Sequence, residues 1–185
     1  MKKTQQKIAL AAALTIYVGH APLSHAQQLN DAQIVAIYTQ VNSFDIETAM
    51  LAQTKNCDPG LTKLARHLSR DHLSVRMGVM ELARNNNIGY SMPDERATAQ
   101  RQHNEVMDRL SQMECGEFET AFLKHDIAFH TSAIEAVRSL LMPATSNAEL
   151  KEHFKNVLPA FELHLEMAKD VASRIQPFLL KQVNE

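Results

Sequence analysis

The chain has 185 residues, with nineteen Lys and Arg against twenty-one Asp and Glu, a formal charge of −2 and two cysteines. That length suits one domain. No basic cluster interleaved with aromatics supports nucleic-acid binding, and the lack of a Gly-rich phosphate loop, a Cys-x-x-Cys pair or a Gly-x-Ser-x-Gly elbow removes several enzyme classes.

Lys2, Lys3 and Lys7 make a basic start, followed by the apolar run "IALAAALTIYVG" and by small residues at Ser24 and Ala26, where a signal peptidase reads. The run falls short of the roughly 20 apolar residues a membrane span needs. Residues 1–26 are therefore expected to be a cleavable signal peptide and 27–185 a single exported domain, most simply in a bacterial periplasm. Without the three lysines the formal charge is about −5. No apolar run in that domain approaches spanning length, and no cysteine follows the cleavage point to carry a lipid.

Gly and Pro are rare and fall where helices would start or stop. A first helix is predicted from about Asp31 to Lys55, opened by Asn30, with Ile34, Tyr38 and Val41 on one face. "NCDPG" breaks it, Asp58 caps a second helix and Pro59 takes its first position, where a missing N–H costs nothing. That helix should run to about Asn87. A third long helix should start near Glu117 and end before Pro143. Ser146 and Glu149 offer a capping box for a fourth, which should reach about Leu179, kinked at Pro159.

Between the second and third long helices lies a polar, helix-permissive stretch from Pro93 to Gln112, whose regular apolar positions are Val106, Leu110 and Met113. As a helix it spans about 27–30 Å, enough to carry the chain from one end of a bundle to the other. The wiring is then that of ferritin-like four-helix bundles with one long crossover; the alternative is a loosely docked insertion. The crossover also brings Cys115 to the end where Cys57 lies. In an exported protein the two are expected to form a disulfide, with two separate buried thiols as the other reading.

The apolar stripes of three helices are each interrupted once. Leu61, Leu64, Leu68, Val75, Val79 and Leu82 leave one slot, filled by His72. His130 stands among Leu123, Ile127, Ile134, Val137 and Leu141, and His164 among Phe154, Val157, Phe161, Ala168, Val171 and Ile175. All three lie roughly 20–25 Å from the same end. On the first helix that level falls at Asn42 and Asp45, with Glu47 one turn higher and level with Asp126. A polar layer of three histidines with Glu47, Asp126 and an asparagine close by is the expectation. Such a layer is either a metal site or a hydrogen-bonded core network, because buried imidazoles need partners.

The segments "LARHLSRDH", "GEFETAFLKHDIAFH" and "LPAFELHLEMA", in this order after a signal, resemble the domain-of-unknown-function 4142 family, exported bacterial proteins often labelled predicted outer-membrane proteins and described as ferritin-like. The likeness runs from about Asp31 to Ala172, and the motif histidines fall on His72, His130 and His164. "VNSFDIETAMLA" carries the asparagine and glutamate at Asn42 and Glu47. Phe118-Glu119 stands where the family has Phe-Asp, and Phe122 where it has tyrosine. The resemblance implies a ferritin-like fold and no established reaction.

A ferritin-type di-iron centre needs Glu-x-x-His on two helices. Here Ser69 precedes His72 by three and Phe161 precedes His164 by three, so the bridging carboxylates are missing. One transition metal ion on His72, His130 and His164, with Glu47 or Asp126 nearby, fits better; zinc, copper, nickel and iron are not distinguished. His67 and His125 read as boundary residues, Met50, Met77, Met80 and Met167 as core gap-fillers, His153 as part of a solvated face, and His103 as idle on the crossover. Three roles stay open: metal storage, buffering or sensing; an envelope stress or interaction protein with a structural histidine network; and a metal-dependent oxidoreductase. A partner in the envelope, a second copy and association with the outer membrane are left open as well.

Overall fold

A computed structural model describes residues 29–175, which are helical and contain no strand among the described residues. The signal peptide expected at 1–26 and the end of the last helix beyond 175 lie outside the described residues. Helix α1 runs Asp31–Lys55, α2 Pro59–Asn85, α3 Arg96–Gln112, α4 Glu117–Ala136, α5 Met142–Ala144 and α6 Ala148–Ile175.

Local chemistry sets most of these bounds. Asn30 and Gln33 cap α1 reciprocally, each side chain accepting from the other's backbone N–H. Asn56, left-handed at φ 48°, ends it. Asp58 accepts from Leu61 N at 2.9 Å at the start of α2, with Pro59 first in the helix. Two expectations are corrected. The chain after α4 does not stop before Pro143: it widens into a π turn, Val137–Leu141, and α5 includes the proline. The proline has no N–H for the carbonyl one turn back, and the wider turn accommodates that loss. Helix α6 is capped by Asn147, which accepts from Leu150 N, instead of by Ser146 and Glu149. Those two serve other helices: Ser146 donates to Asp31 and Glu149 accepts from Asn86.

Two sets of polar contacts define the ends. At one, Cys57 and Cys115 form a disulfide, and Lys55 donates to the carbonyl of Met113. At the other, the Asp31 carboxylate takes the backbone N–H groups of Ser146 and Asn147, and Asn86 bonds Asn147 and Glu149. Helix α3 follows α1 between these ends through Arg96–Gln40, His103–Glu47 and Lys55–Met113 contacts. It thereby returns the chain to the disulfide end, so that α2 and α4 run in the same direction.

Helices α1, α2, α4 and α6 share the interior, which is divided. One apolar cluster, near the disulfide, holds Leu64, Leu68, Phe118, Phe122, Leu123 and Ala168. The other, toward Asp31, holds Ile34, Tyr38, Val79, Ile134, Phe154 and Phe161. Each large side chain so buried contributes about 1.5–3 kcal/mol. Between the clusters every one of the four helices turns a polar residue inward.

The surrounding shell corrects several sequence readings. Met50, Met77 and Met80 are exposed, not gap-fillers; Met167 is half-buried against the core. His103 is buried, stacked on Phe44 at 4.1 Å and bonded to Glu47. His153 is half-buried, edge-on to Tyr38 at 5.8 Å, and burial lowers its pKa. Among the described residues no helix is long and apolar enough to cross a membrane.

Candidate metal centre

The polar layer contains Asn42 and Asp45 from α1, His72 from α2, Asp126 and His130 from α4 and His164 from α6, all 4% exposed or less. Helical periodicity puts them there. Asn42 and Asp45 continue the inward stripe of Ile34, Tyr38, Ala49 and Ala52, as His72 continues that of Leu64 and Leu68. The ring centroids of His72, His130 and His164 are 5.1–5.6 Å apart. Phe161 stacks on His72 at 5.0 Å and closes one side.

Proton accounting gives the rings a common orientation. His72 Nδ1 lies 2.8 Å from Asn42 Oδ1, and that amide is fixed because its nitrogen donates to Tyr38 O at 2.8 Å. His72 therefore donates outward through Nδ1. His130 Nδ1 faces only acceptors, the carbonyl of Asp126 at 3.1 Å and its carboxylate at 3.5 Å. His164 Nε2 faces Asp71 Oδ2 at 3.3 Å. With one proton per neutral ring, the lone pairs left are on His72 Nε2, His130 Nε2 and His164 Nδ1.

These three turn toward one another and toward Asp45. Asp45 Oδ2 is 3.2 Å from His72 Nε2 and 3.3 Å from His130 Nε2, and His164 Nδ1 is 3.2 Å from His72 Nε2. Neither Asp45 oxygen nor His130 Nε2 has a hydrogen-bond partner, although all are buried. Such distances call for a proton or a cation among the groups; at neutral pH His130, with its raised pKa, carries such a proton, and a metal ion would displace it. For metal–nitrogen bonds of about 2.0–2.1 Å, ligand atoms at tetrahedral corners stand about 3.3 Å apart. The three histidines could therefore hold a metal ion, with Asp45 facing two of them and with Asn42, Asp126 and Asp71 holding the rings from outside.

Charge follows the same arrangement. Burial lowers the pKa of His164 to about 4, helped by His72 and His130 and opposed by Asp71. Burial likewise lowers that of His72, against the attraction of Asp45. At His130, burial is outweighed by Asp126 and Asp45, and the pKa rises to about 9. Asp71 is pulled down because its bonds to His164 and Arg70 and the charge of His67 together exceed its desolvation.

Of the residues singled out from the sequence, His72, His130, His164 and Asp126 come together and Glu47 does not. Its side chain is half exposed and bonds His103 on α3 at 2.8 Å. Two residues along a helix is a rotation of about 200°, so Asp45 and Glu47 cannot share a face. Asp45 takes the place expected for Glu47; its position in the α1 stripe was the signal. Asp71, outside every stripe, has only its spacing of four from His67, which permits the contact seen along α2; nothing in the sequence points it at His164.

An all-helical protein with a layer of histidines and carboxylates dividing its core is the class that fold and site define. A family model described as Domain of unknown function (DUF4142) matches residues 19–171, and the chain belongs to that family. No curated protein and no solved structure matches it.

Proposed function

We propose that the protein is an exported, ferritin-like four-helix bundle with one long crossover that holds a single transition metal ion in its core. His72 Nε2, His130 Nε2, His164 Nδ1 and Asp45 Oδ2 are its ligands. The observation that carries this reading is the convergence of three outward-protonated imidazoles on a carboxylate without hydrogen-bond partners. Four protein ligands in a sealed layer leave no open coordination position of the kind that catalytic zinc sites keep. Storage, buffering or structural use of the ion is thus favoured over turnover. The Cys57–Cys115 disulfide supports an oxidising compartment, and with the signal-like start it favours the periplasm.

Zinc titration by calorimetry on metal-stripped protein tests the reading. The wild type should bind one ion, and His130→Ala and His164→Ala should each weaken binding at least about tenfold. A folded wild type that takes up no zinc, copper, nickel or iron would leave the layer as a structural hydrogen-bond network.

A further inference from the structure

The converging groups are sealed, with His164 0%, His130 1%, Asp45 2% and His72 4% exposed. An ion needs a way in, and one chain of ligand-type atoms leads outward. His164 presents its second nitrogen, Nε2, to Asp71 Oδ2 at 3.3 Å, and that oxygen is 3.2 Å from His67 Nε2. The rings of His67 and His164 meet edge-on at 5.4 Å. The side chains of His67 and Asp71 are 29% and 28% exposed. His67 lines a surface cavity of about 440 Å³ beside the start of α2.

This outer group differs chemically from the deep one. Arg70 lies 2.8 Å from His67 Nδ1 through Nη2 and 3.1 Å from Asp71 Oδ1 through Nε. Arginine only donates, so His67 accepts at Nδ1 and carries its proton on Nε2, 3.2 Å from Asp71 Oδ2. The latch is weak, because the Arg70 side chain is 71% exposed and bonds made in water contribute little. With Arg70 swung away, His67 can move its proton to Nδ1 and offer Nε2, beside an Asp71 oxygen, to a cation.

We propose that His67 and Asp71 form an outer receiving site for a divalent transition-metal ion, latched by Arg70, from which the ion reaches the deep site past His164. This rests on the deep site binding metal. His164 belongs to both positions, with Nε2 facing the receiving site and Nδ1 the core. Lys63 and Arg66 line the same cavity, and their repulsion keeps the outer site weak, so that the ion passes through it.

Stopped-flow uptake of cobalt(II) by metal-stripped protein, followed through its visible absorption, tests the route in wild type, His67→Ala and Arg70→Ala. His67→Ala should load about tenfold more slowly, with the final amplitude and spectrum of wild type. Arg70→Ala should load faster than wild type. Equal rates for wild type and His67→Ala, at equal amplitude, would overturn the route and leave the deep site standing, with entry by opening of the bundle. An altered final spectrum in His67→Ala would make His67 a ligand of the deep site and overturn the assignment. Absence of uptake of cobalt, zinc, copper, nickel and iron by wild type would remove the deep site and the route together.

Discussion

His130 Nε2 and Asp45 Oδ2 face each other 3.3 Å apart at the centre of the protein, and neither makes a hydrogen bond. A buried carboxylate needs a positive partner, and at neutral pH the proton on His130 supplies it; in the proposed site a metal ion takes that proton's place.

Asp45 and Glu47 differ by one helical face, and their substitutions should separate cleanly. Asp45→Asn removes a ligand charge and should weaken zinc binding by at least about tenfold, the lower end for loss of even a supporting group. Glu47→Gln should leave zinc binding unchanged and loosen α3, where Glu47 holds His103. Chelator competition measures the first, and amide exchange along Arg96–Gln112 the second.

Zinc affinity should rise with pH. The pKa of His130, lifted to about 9 by Asp126 and Asp45 against its burial, means that at neutral pH a proton occupies the ring the ion needs. Binding must displace that proton, so affinity should gain about tenfold per pH unit up to about pH 9. Titrations at pH 6, 7 and 8 in a non-coordinating buffer measure the slope. A flat profile would show that His130 gives up no proton.

His125 offers a stability test that needs no ion. Burial depresses its pKa to about 4, from an unfolded value of about 6.5. The folded state thus resists its protonation, and its contribution is whole above about pH 6.5 and lost as pH falls toward 4. His125→Gln has no such proton to refuse. Urea unfolding of the metal-free proteins should show the variant gaining on wild type across that interval, by up to about 3 kcal/mol. A difference independent of pH would contradict the depressed value.

The disulfide ties residues 58 apart in sequence. Restricting an unfolded loop of that length is worth about 4 kcal/mol. Cys57→Ala/Cys115→Ala should unfold at lower urea by a corresponding amount, with helical content retained. Reduction of wild type should reproduce the shift.

The helices were legible in the sequence because their caps and stripes are local: Asn30, Asp58 and the interrupted stripes carry their own signals. The histidine layer was legible for the same reason, since a polar residue in an apolar register is conspicuous. Asp45 is level with the histidines and in register with Ile34, Tyr38 and Asn42, but Glu47 stands level with Asp126 and in the segment that the family resemblance marks, and so the sequence favours Glu47. Asp71 acts across the α2–α6 boundary on a partner 93 residues away; spacing within one helix carries no trace of it. His103 and His153 sat in polar surroundings, and only packing against Phe44 and Tyr38 revealed their burial.

Metal content by mass spectrometry, on tag-free protein purified without chelators beside its His72→Ala variant, tests the central claim most directly. The account predicts close to one transition metal ion per chain in wild type and little in the variant. Metal-free wild type that cannot be loaded, with the variant merely melting lower, would contradict it.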